Sequence, residues 1–419
     1  MKKFLIKTLG CKVNSYESEF IRTLFLKEGF TEVEENADVV VVNTCTVTNT
    51  ADNKSKKTIN NIKKTNPNCI LVAIGCFCEY RKNEIDSLID ADIIIGNKNK
   101  SKILDYVNEY ENNKKRIIDF YDMSNQNFED MEIDSYIHHK RAFVKIQDGC
   151  NNFCSYCIIP YVRGRVRSKD FDKCISEFKT IRDNNHKEIV LSGIHTGMYE
   201  SNNKRLSDLI KEMSKIDGIE RIRLSSVEIV ELTTDMINII KNNTKFVSHL
   251  HIPLQSGSDT ILESMNRRYD TSYFLDKVNQ IRNAREGISL TTDVIVGFPG
   301  ETEELFNETY EFCKKIKFSK IHVFPYSDRT GTVASKMQNK VPNDIKKQRV
   351  HKLIELSNEM EKEYYESFIG KNVNVLIEEN KEEYFYGFTD NYIPVKFKGE
   401  YKLNEIYNII LTKDNIDYI

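Results

Sequence analysis

The sequence predicts an α/β protein in three parts: an N-terminal doubly wound parallel sheet, a central partial (β/α)6 barrel and a small C-terminal β-barrel. Three observations carry this. Over roughly the first 110 residues, short apolar or β-branched runs alternate with helix-like stretches, the pattern of buried parallel strands with helical crossovers. Six further strand signals, separated by helical text, lie between residues 142 and 324. From Lys371 onward the text changes to short alternating strands. The expected units are 1–112, a linker over 113–138, a core over 139–360 and a terminal unit over 361–419.

In chain order, Phe4–Leu9, Asp38–Asn43, Ile70–Ile74 and Ala91–Ile95 read as strands, with Ser15–Lys27 and Ala51–Lys64 as helices between them. Sites in doubly wound sheets lie beyond the carboxyl ends of the strands. Cys11, Cys45 and Cys76 follow the first, second and third strands, so a fold of this kind brings all three to one edge. The stretch 113–138 is polar and without period. Ala142–Ile146, Glu188–Leu191, Arg221–Leu224, His249–Pro253, Thr291–Val296 and Lys320–Phe324 then supply the six barrel strands. A long helix is expected over Asp344–Phe368, with Asn343 as cap candidate and Leu353, Leu356, Met360 and Tyr364 on its apolar face. Val373–Ile377, Tyr384–Phe388, Ile393–Phe397 and Ile406–Leu411 close the chain as strands.

Composition bounds the function. With 40% hydrophobic and 30% charged residues the chain reads as globular, and no apolar run approaches the roughly 20 residues that span a bilayer. The start reads as a strand rather than a signal peptide, so a cytoplasmic location without membrane contact is expected. Ten cysteines in a reducing compartment point to metal or catalysis, not disulfides. A net charge of −2 excludes a generally basic coat, yet basic residues dominate from Lys140 to Lys169. Arg163, Arg165 and Arg167 in that run are the candidate phosphate contacts.

The most informative run follows the first barrel strand: Cys150, Cys154 and Cys157, spaced C-x3-C-x2-C. Three thiols are one short of a closed tetrahedral zinc site, and an iron–sulfur cluster on three cysteines keeps one iron open. The histidines nearest before the run, His138 and His139, precede the strand. Glycines punctuate two further strand ends, at Ser192-Gly193 and at Gly297-Phe298-Pro299-Gly300, where backbone can approach a flat ligand.

Together these residues resemble the radical S-adenosylmethionine (SAM) superfamily. The resemblance implies a [4Fe-4S] cluster on Cys150, Cys154 and Cys157, with SAM on the open iron and a 5′-deoxyadenosyl radical from its cleavage. It places Ser192 and Gly193 at the methionine part of SAM, Ser225, Ser226 and Glu228 at its ribose, and Gly297 and Phe298 at its adenine. Thr8-Leu9-Gly10-Cys11-Lys12-Val13-Asn14, Asn43-Thr44-Cys45-Thr46-Val47-Thr48, Gly75-Cys76, Ile158–Ser168, His251–Ser258 and Met265–Tyr269 narrow the likeness to methylthiotransferases. That family implies a second [4Fe-4S] cluster on Cys11, Cys45 and Cys76, and a terminal TRAM domain that holds substrate. One SAM would methylate a sulfur at the second cluster and another would supply the radical. An electron donor such as flavodoxin or ferredoxin and a sulfur source are implied partners.

Leu9-Gly10-Cys11-Lys12-Val13-Asn14 looks most like the branch acting on N6-threonylcarbamoyladenosine at position 37, in the anticodon loop of tRNA. Same-fold alternatives are the isopentenyladenosine branch and the branch acting on a ribosomal protein. An alternative of another class is a non-catalytic, zinc-containing RNA-binding protein. Three features depart from the family pattern. Cys78 adds a thiol beside Cys76, although strand-end position favours Cys76; Ile229 replaces a proline; and the terminal unit carries Glu378, Glu379, Glu382 and Glu383. Cys69, Cys174 and Cys313 read as core, His249 and His251 as structural, and Tyr161 and Tyr326 as packing or base-stacking groups.

Overall fold

The computed structural model describes residues 2–133, 136 and 141–418. His138, His139 and Lys140, invoked above for zinc and for the basic run, lie outside the described residues.

Strands β1 (Lys3–Thr8), β2 (Thr31–Glu32), β3 (Val39–Thr44), β4 (Ile70–Gly75), β5 (Ile93–Ile95) and β6 (Ile117–Asp119) form one parallel sheet in the order β2-β1-β3-β4-β5-β6. Its central strands are continuous apolar runs because helices cover both faces. Helix Asn49–Thr65 packs Ile59 and Ile62 on Val40, Val42 and Leu71 of one face. Helix Lys12–Lys27 covers the other with Tyr16, Phe20, Ile21 and Phe25, and that core runs without a break into the barrel. β6 lies inside the span read as linker. Three residues beside polar text give no periodic signal, and parallel pairing with β5 supplies the stabilisation.

The central unit contains β7 (Arg141–Lys145), a hairpin of β8 (Gln147–Asp148) with β9 (Arg167–Ser168), β10 (Glu188–Ser192), the small hairpin β11 (Glu200–Ser201) and β12 (Lys204–Arg205), β13 (Arg221–Leu224), β14 (His249–His251), β15 (Ser289–Val296) and β16 (Lys320–Pro325). Two parallel triplets, β7-β10-β13 and β14-β15-β16, form the arc. A parallel bridge of Ile222 with Phe246 and the Val227 amide on the His251 carbonyl join them. The long helix is Asn343–Glu366, beginning after Pro342, and buries Leu353, Leu356, Met360 and Tyr365.

Strands β17 (Asn372–Lys381), β18 (Tyr384–Thr389), β19 (Pro394–Lys398) and β20 (Ile406–Ile410) make an antiparallel sheet in the order β19-β18-β17-β20. A bridge from Ile416 back to Val395 curls it into a half-barrel. It docks on the first residues of the barrel strands, sealing the floor. Arg221 donates to the carbonyls of Asn374 (2.6 Å) and Phe388 (3.1 Å), and Arg141 pairs with Glu378 at 2.9 Å. The Tyr392 ring lies against Arg223, His249 and Arg141, with centroid distances of 4.3, 4.7 and 5.2 Å.

Glu188 anchors this floor through Arg223 at 2.6 Å and Arg221 at 3.4 Å. Burial would raise its pKa, but Arg223, then Arg221 and Arg141, outweigh burial and hold it at about 2. A depressed folded-state pKa gives stability that is complete above the unfolded value near 4.5 and is lost as pH falls toward 2. Equilibrium unfolding between pH 5 and 2 will show roughly 3 kcal/mol of this dependence, absent in Glu188→Gln. An unchanged acid slope in the variant would refute the assignment.

Candidate functional site

Cys150, Cys154 and Cys157 occupy a loop closed at its base by the β8–β9 hairpin. Gly149, at φ +74°, starts it, and a Cβ there would lie 1.9 Å from the Arg165 carbonyl oxygen. The loop's far side is fixed by the Met265–Arg267 segment. The Ser155 amide donates to Met265 O (3.0 Å) and Asn266 Nδ2 to Phe153 O (3.1 Å). N–H donors approach the sulfurs: the Asn152 amide at 3.4 Å from Cys150 Sγ and Arg267 Nη1 at 3.4 Å from Cys154 Sγ. His195 Nδ1 lies 3.5 Å from Cys150 Sγ while its Nε2 meets Glu231. Burial, then Cys154 and Cys150, push the Cys157 thiol up to about 12. Outer donors of this kind tune a bound cluster.

The other three cysteines stand at the ends of β1, β3 and β4, which are sheet neighbours. Adjacent strands lie roughly 4.8 Å apart, so the three thiols share one edge. Cys11 precedes helix Lys12–Lys27, and a Cβ on Gly10 would lie 2.9 Å from Cys45 Cβ. Burial raises Cys45 to about 11, with Cys76 and Cys11 adding in the same sense. Cys78 sits in the apolar cluster with Leu71, Ala73 and Phe77, while Cys76 lies against Ile158 and Val162 of the barrel loop. Cys76 therefore faces the barrel and Cys78 does not. Among the described residues no three His, Cys, Asp or Glu side chains close on a single metal ion. A four-iron cluster asks for less, since each thiolate binds a different iron.

Arg163 was expected on an outer phosphate-gripping face, and the structure corrects this. It ends the short helix Ile159–Arg163 and is fully buried. Its Nε donates to Cys76 Sγ at 3.2 Å, Nη1 to Glu17 (3.0 Å) and Asp148 (3.2 Å), and Nη2 to Asn14 Oδ1 (2.8 Å). Lys100 and Lys145 reach Glu17 at 2.8 Å each, and Arg167 reaches Asp148 at 3.1 Å. Burial would raise Glu17, but Arg163, Lys100 and Lys145 hold it well below the ordinary carboxylate value. Four cations thus meet two carboxylates beside Cys76. That positive excess suits a thiolate-ligated cluster. Arg165 is exposed and stacks on Phe153 at 4.5 Å.

Ser192, ending β10, keeps a buried hydroxyl without a partner, as does Thr196. Two orphaned donors beside the three-cysteine loop suit a polar cofactor such as SAM. Gly193 has Gln147 Oε1 2.8 Å from where its Cβ would be. Ser225 and Ser226 are half-buried, and Glu228 is engaged by Arg267, the residue that contacts Cys154. Gly297, at φ +72°, leaves room for Lys346, and the Phe298 ring is buried against Tyr326. The sequence reading missed Arg329, an isolated cation in irregular text. It is buried and donates to Thr46 Oγ1 (2.7 Å), Asn49 Oδ1 (2.6 Å) and Asp52 (3.0 Å). This clasps the Cys45 loop to the segment after β16. Between the cysteine loops lies a cavity of about 200 Å³, walled by Val47, Thr48, Tyr156, Cys157, Phe324 and Tyr326 among others.

Comparison with known proteins agrees with these features. Residues 144–313 match the radical SAM superfamily, and residues 3–96 match the uncharacterized protein family UPF0004. The chain is 42% identical to threonylcarbamoyladenosine tRNA methylthiotransferase MtaB of Bacillus subtilis (strain 168), over 98% of this chain and 94% of that protein. It is 36% identical to tRNA-2-methylthio-N(6)-dimethylallyladenosine synthase of Clostridium botulinum (strain Hall / ATCC 3502 / NCTC 13319 / Type A), over 99% and 95%. Among solved structures, the radical SAM methyltransferase TsrM of Kitasatospora setae shares the fold, with TM-score 0.55, 12% identity, and coverage of 77% of this chain and 73% of that one.

The Arg163 network makes a direct prediction. Arg163→Met leaves Glu17 and Asp148 short of a buried partner and should destabilise the protein by roughly 3–5 kcal/mol in urea unfolding. Arg163→Lys, which keeps charge without the fork of donors, should fall between the two. A loss under about 1 kcal/mol for Arg163→Met would show that the network does not support the fold.

Proposed function

This chain belongs to the radical SAM tRNA methylthiotransferase family, and we propose that it converts N6-threonylcarbamoyladenosine at position 37 of tRNA to its 2-methylthio derivative. One observation carries the reading. The cavity between the domains is walled on one side by the loop after Cys45 and on the other by the loop containing Cys157, so a base seated there lies between the loops that carry the two cysteine trios. A carbon–hydrogen bond on an adenine ring offers no handle for acid–base chemistry. A [4Fe-4S] cluster on Cys150, Cys154 and Cys157, with SAM, supplies radical chemistry instead. A second cluster on Cys11, Cys45 and Cys76 is part of this proposal, as are a flavodoxin- or ferredoxin-like electron donor, a sulfur source and a cytoplasmic location.

The chain's own residues have definable tasks. Arg267, His195 and the Asn152 amide direct N–H dipoles or charge at the first trio, and Arg163 does so at Cys76. Tyr156, Phe324 and Tyr326 give an aromatic wall for a base splayed out of a single-stranded loop. Arg163 and Arg329 clasp the two domains together.

RNA backbone has a surface beside the cavity. Thr48 lines the cavity and caps helix Asn49–Thr65, on which Lys54, Lys57, Asn61 and Lys64 form one exposed stripe at three- and four-residue spacing. None of these lysines has an ion-pair partner among the described residues, and the helix's one acid, Asp52, is buried. The stripe spans roughly 15 Å.

Nucleoside mass spectrometry of tRNA from cells lacking the protein should show loss of 2-methylthio-N6-threonylcarbamoyladenosine with accumulation of its unthiolated precursor. Unchanged levels would refute the reading. Anaerobically purified protein should carry about eight irons per chain, falling to about four in Cys76→Ala and staying near eight in Cys78→Ala. Iron retained in full by Cys76→Ala would remove the second cluster. Changing Lys54, Lys57 and Lys64 together to Gln should weaken tRNA binding and lower the slope of log K against log salt by roughly 2 to 3. An unaltered slope would place the RNA elsewhere.

A further inference from the structure

A second cavity, of about 290 Å³, lies in the barrel lumen directly beneath the first. Strand register fixes their relation. Thr291, Asp293 and Ile295 of β15 pair with Lys320, His322 and Phe324 of β16 and share one face. Asp293, Ile295 and Phe324 line the upper cavity, while Thr291, Lys320 and His322 line the lower. The two are successive layers of one shaft, roughly 7 Å apart. Its upper layer is walled by Tyr156, Ile158, Ile295, Phe324 and Tyr326, and its lower layer by Ser225, His249, His251, Thr291 and His322.

Into the lower layer comes Lys12, the residue after Cys11. Among the described residues its ammonium has no ion-pair partner. No carboxylate lines this layer among the described residues; the neighbouring Glu188 is paired with Arg221 and Arg223, and Asp293 of the upper layer with His251 at 3.3 Å. His249 Nδ1 is buried here without a hydrogen bond. A cation without a counter-ion in a cavity lined by imidazoles and hydroxyls is a binding site for an anion, because leaving it unpaired costs desolvation without return.

We propose that Lys12 and this lower cavity bind the carboxylate of the substituent on N6 of the target adenine, making Lys12 a specificity-determining residue. The inference rests on the substrate reading above. A base held by the aromatic upper layer directs a side group of threonylcarbamoyl length down the shaft, where an ammonium, imidazoles and hydroxyls match a carboxylate and a hydroxyl. A dimethylallyl group offers neither, and would leave Lys12 and His249 unpaired.

The test uses the holoenzyme and anticodon stem-loop RNAs whose position 37 carries threonylcarbamoyladenosine, its threoninamide analogue, dimethylallyladenosine or adenosine, with binding read by fluorescence anisotropy. The wild type should bind the acid about 10- to 100-fold more tightly than the amide, which has its size but not its charge. In Lys12→Gln that ratio should fall to near one, and Lys12→Arg should retain most of it. A full acid-over-amide preference in Lys12→Gln would overturn the assignment while leaving the substrate reading intact. A wild type that prefers the dimethylallyl loop would defeat the substrate reading itself. If Lys12→Gln weakens SAM binding and leaves RNA discrimination unchanged, the carboxylate bound is that of SAM, and the proposal fails.

Discussion

The hydrogen-bonded ion network around Arg163 is the constraint on which the rest of the structure depends. One guanidinium joins three elements: Cys76 at the edge of the first sheet, Glu17 on the helix between sheet and barrel, and Asp148 at the base of the radical SAM loop. All of these groups are buried, so none can exchange its partner for water without a large desolvation cost. Apolar packing alone tolerates sliding of one surface on another. A planar fork of donors with fixed acceptors does not, and it sets the distance and angle between the two cysteine edges. Four cations against two carboxylates also leave positive charge directed at Cys76, opposing in part the burial that pushes its thiol pKa up.

Arg329 does the corresponding work on the other side of the cavity. It binds the turn after Cys45 through Thr46, Asn49 and Asp52, and Tyr80 donates to the Thr330 carbonyl nearby. The Cys76 end and the Cys45 end of the sheet edge are thus each held to the barrel by a buried arginine. The apolar core that runs unbroken from helix Lys12–Lys27 into the barrel gives this arrangement its stiffness. Sheet and barrel share this core, and neither buries its inner face alone.

Much of this was legible in the sequence, for physical reasons. Strands covered on both faces must be continuous apolar runs, so Val39–Val42 and Ile70–Ile74 announced themselves, and strand ends located Cys11, Cys45 and Cys76. The burial of Arg163 was not legible. Arg163, Arg165 and Arg167 alternate as a strand would, but the first closes a helix and only the last lies in β9. Its partner Glu17 stands 146 residues away in a helix whose text gives no sign that this carboxylate is interior. Strand β6 was missed because pairing with β5, and not its own composition, makes it a strand. Arg329 likewise carries no local signal; its acceptors lie on another domain.

The terminal half-barrel gives the lumen its depth. An open arc of six strands exposes its inner face at both ends, and a polar interior of that kind would normally fill with water. Here Phe388, Tyr392 and Pro394 form the floor, fastened by Arg141, Arg221 and Arg223 to the first residues of the strands. Thr291 and His322 therefore line a chamber with a floor rather than a through-going pore. This separates two tasks along one axis. The upper layer lies against the cysteine loops, where the reacting atoms must meet cofactors shared by a whole family. The lower layer touches none of those sulfurs and is free to differ. Because Lys12 follows Cys11 directly, one backbone turn places the cysteine at the sheet edge and the lysine in the chamber. On the proposed reading, selection among N6 substituents can change with a single side chain, while the arginine clasps leave the placement of the cysteines unchanged.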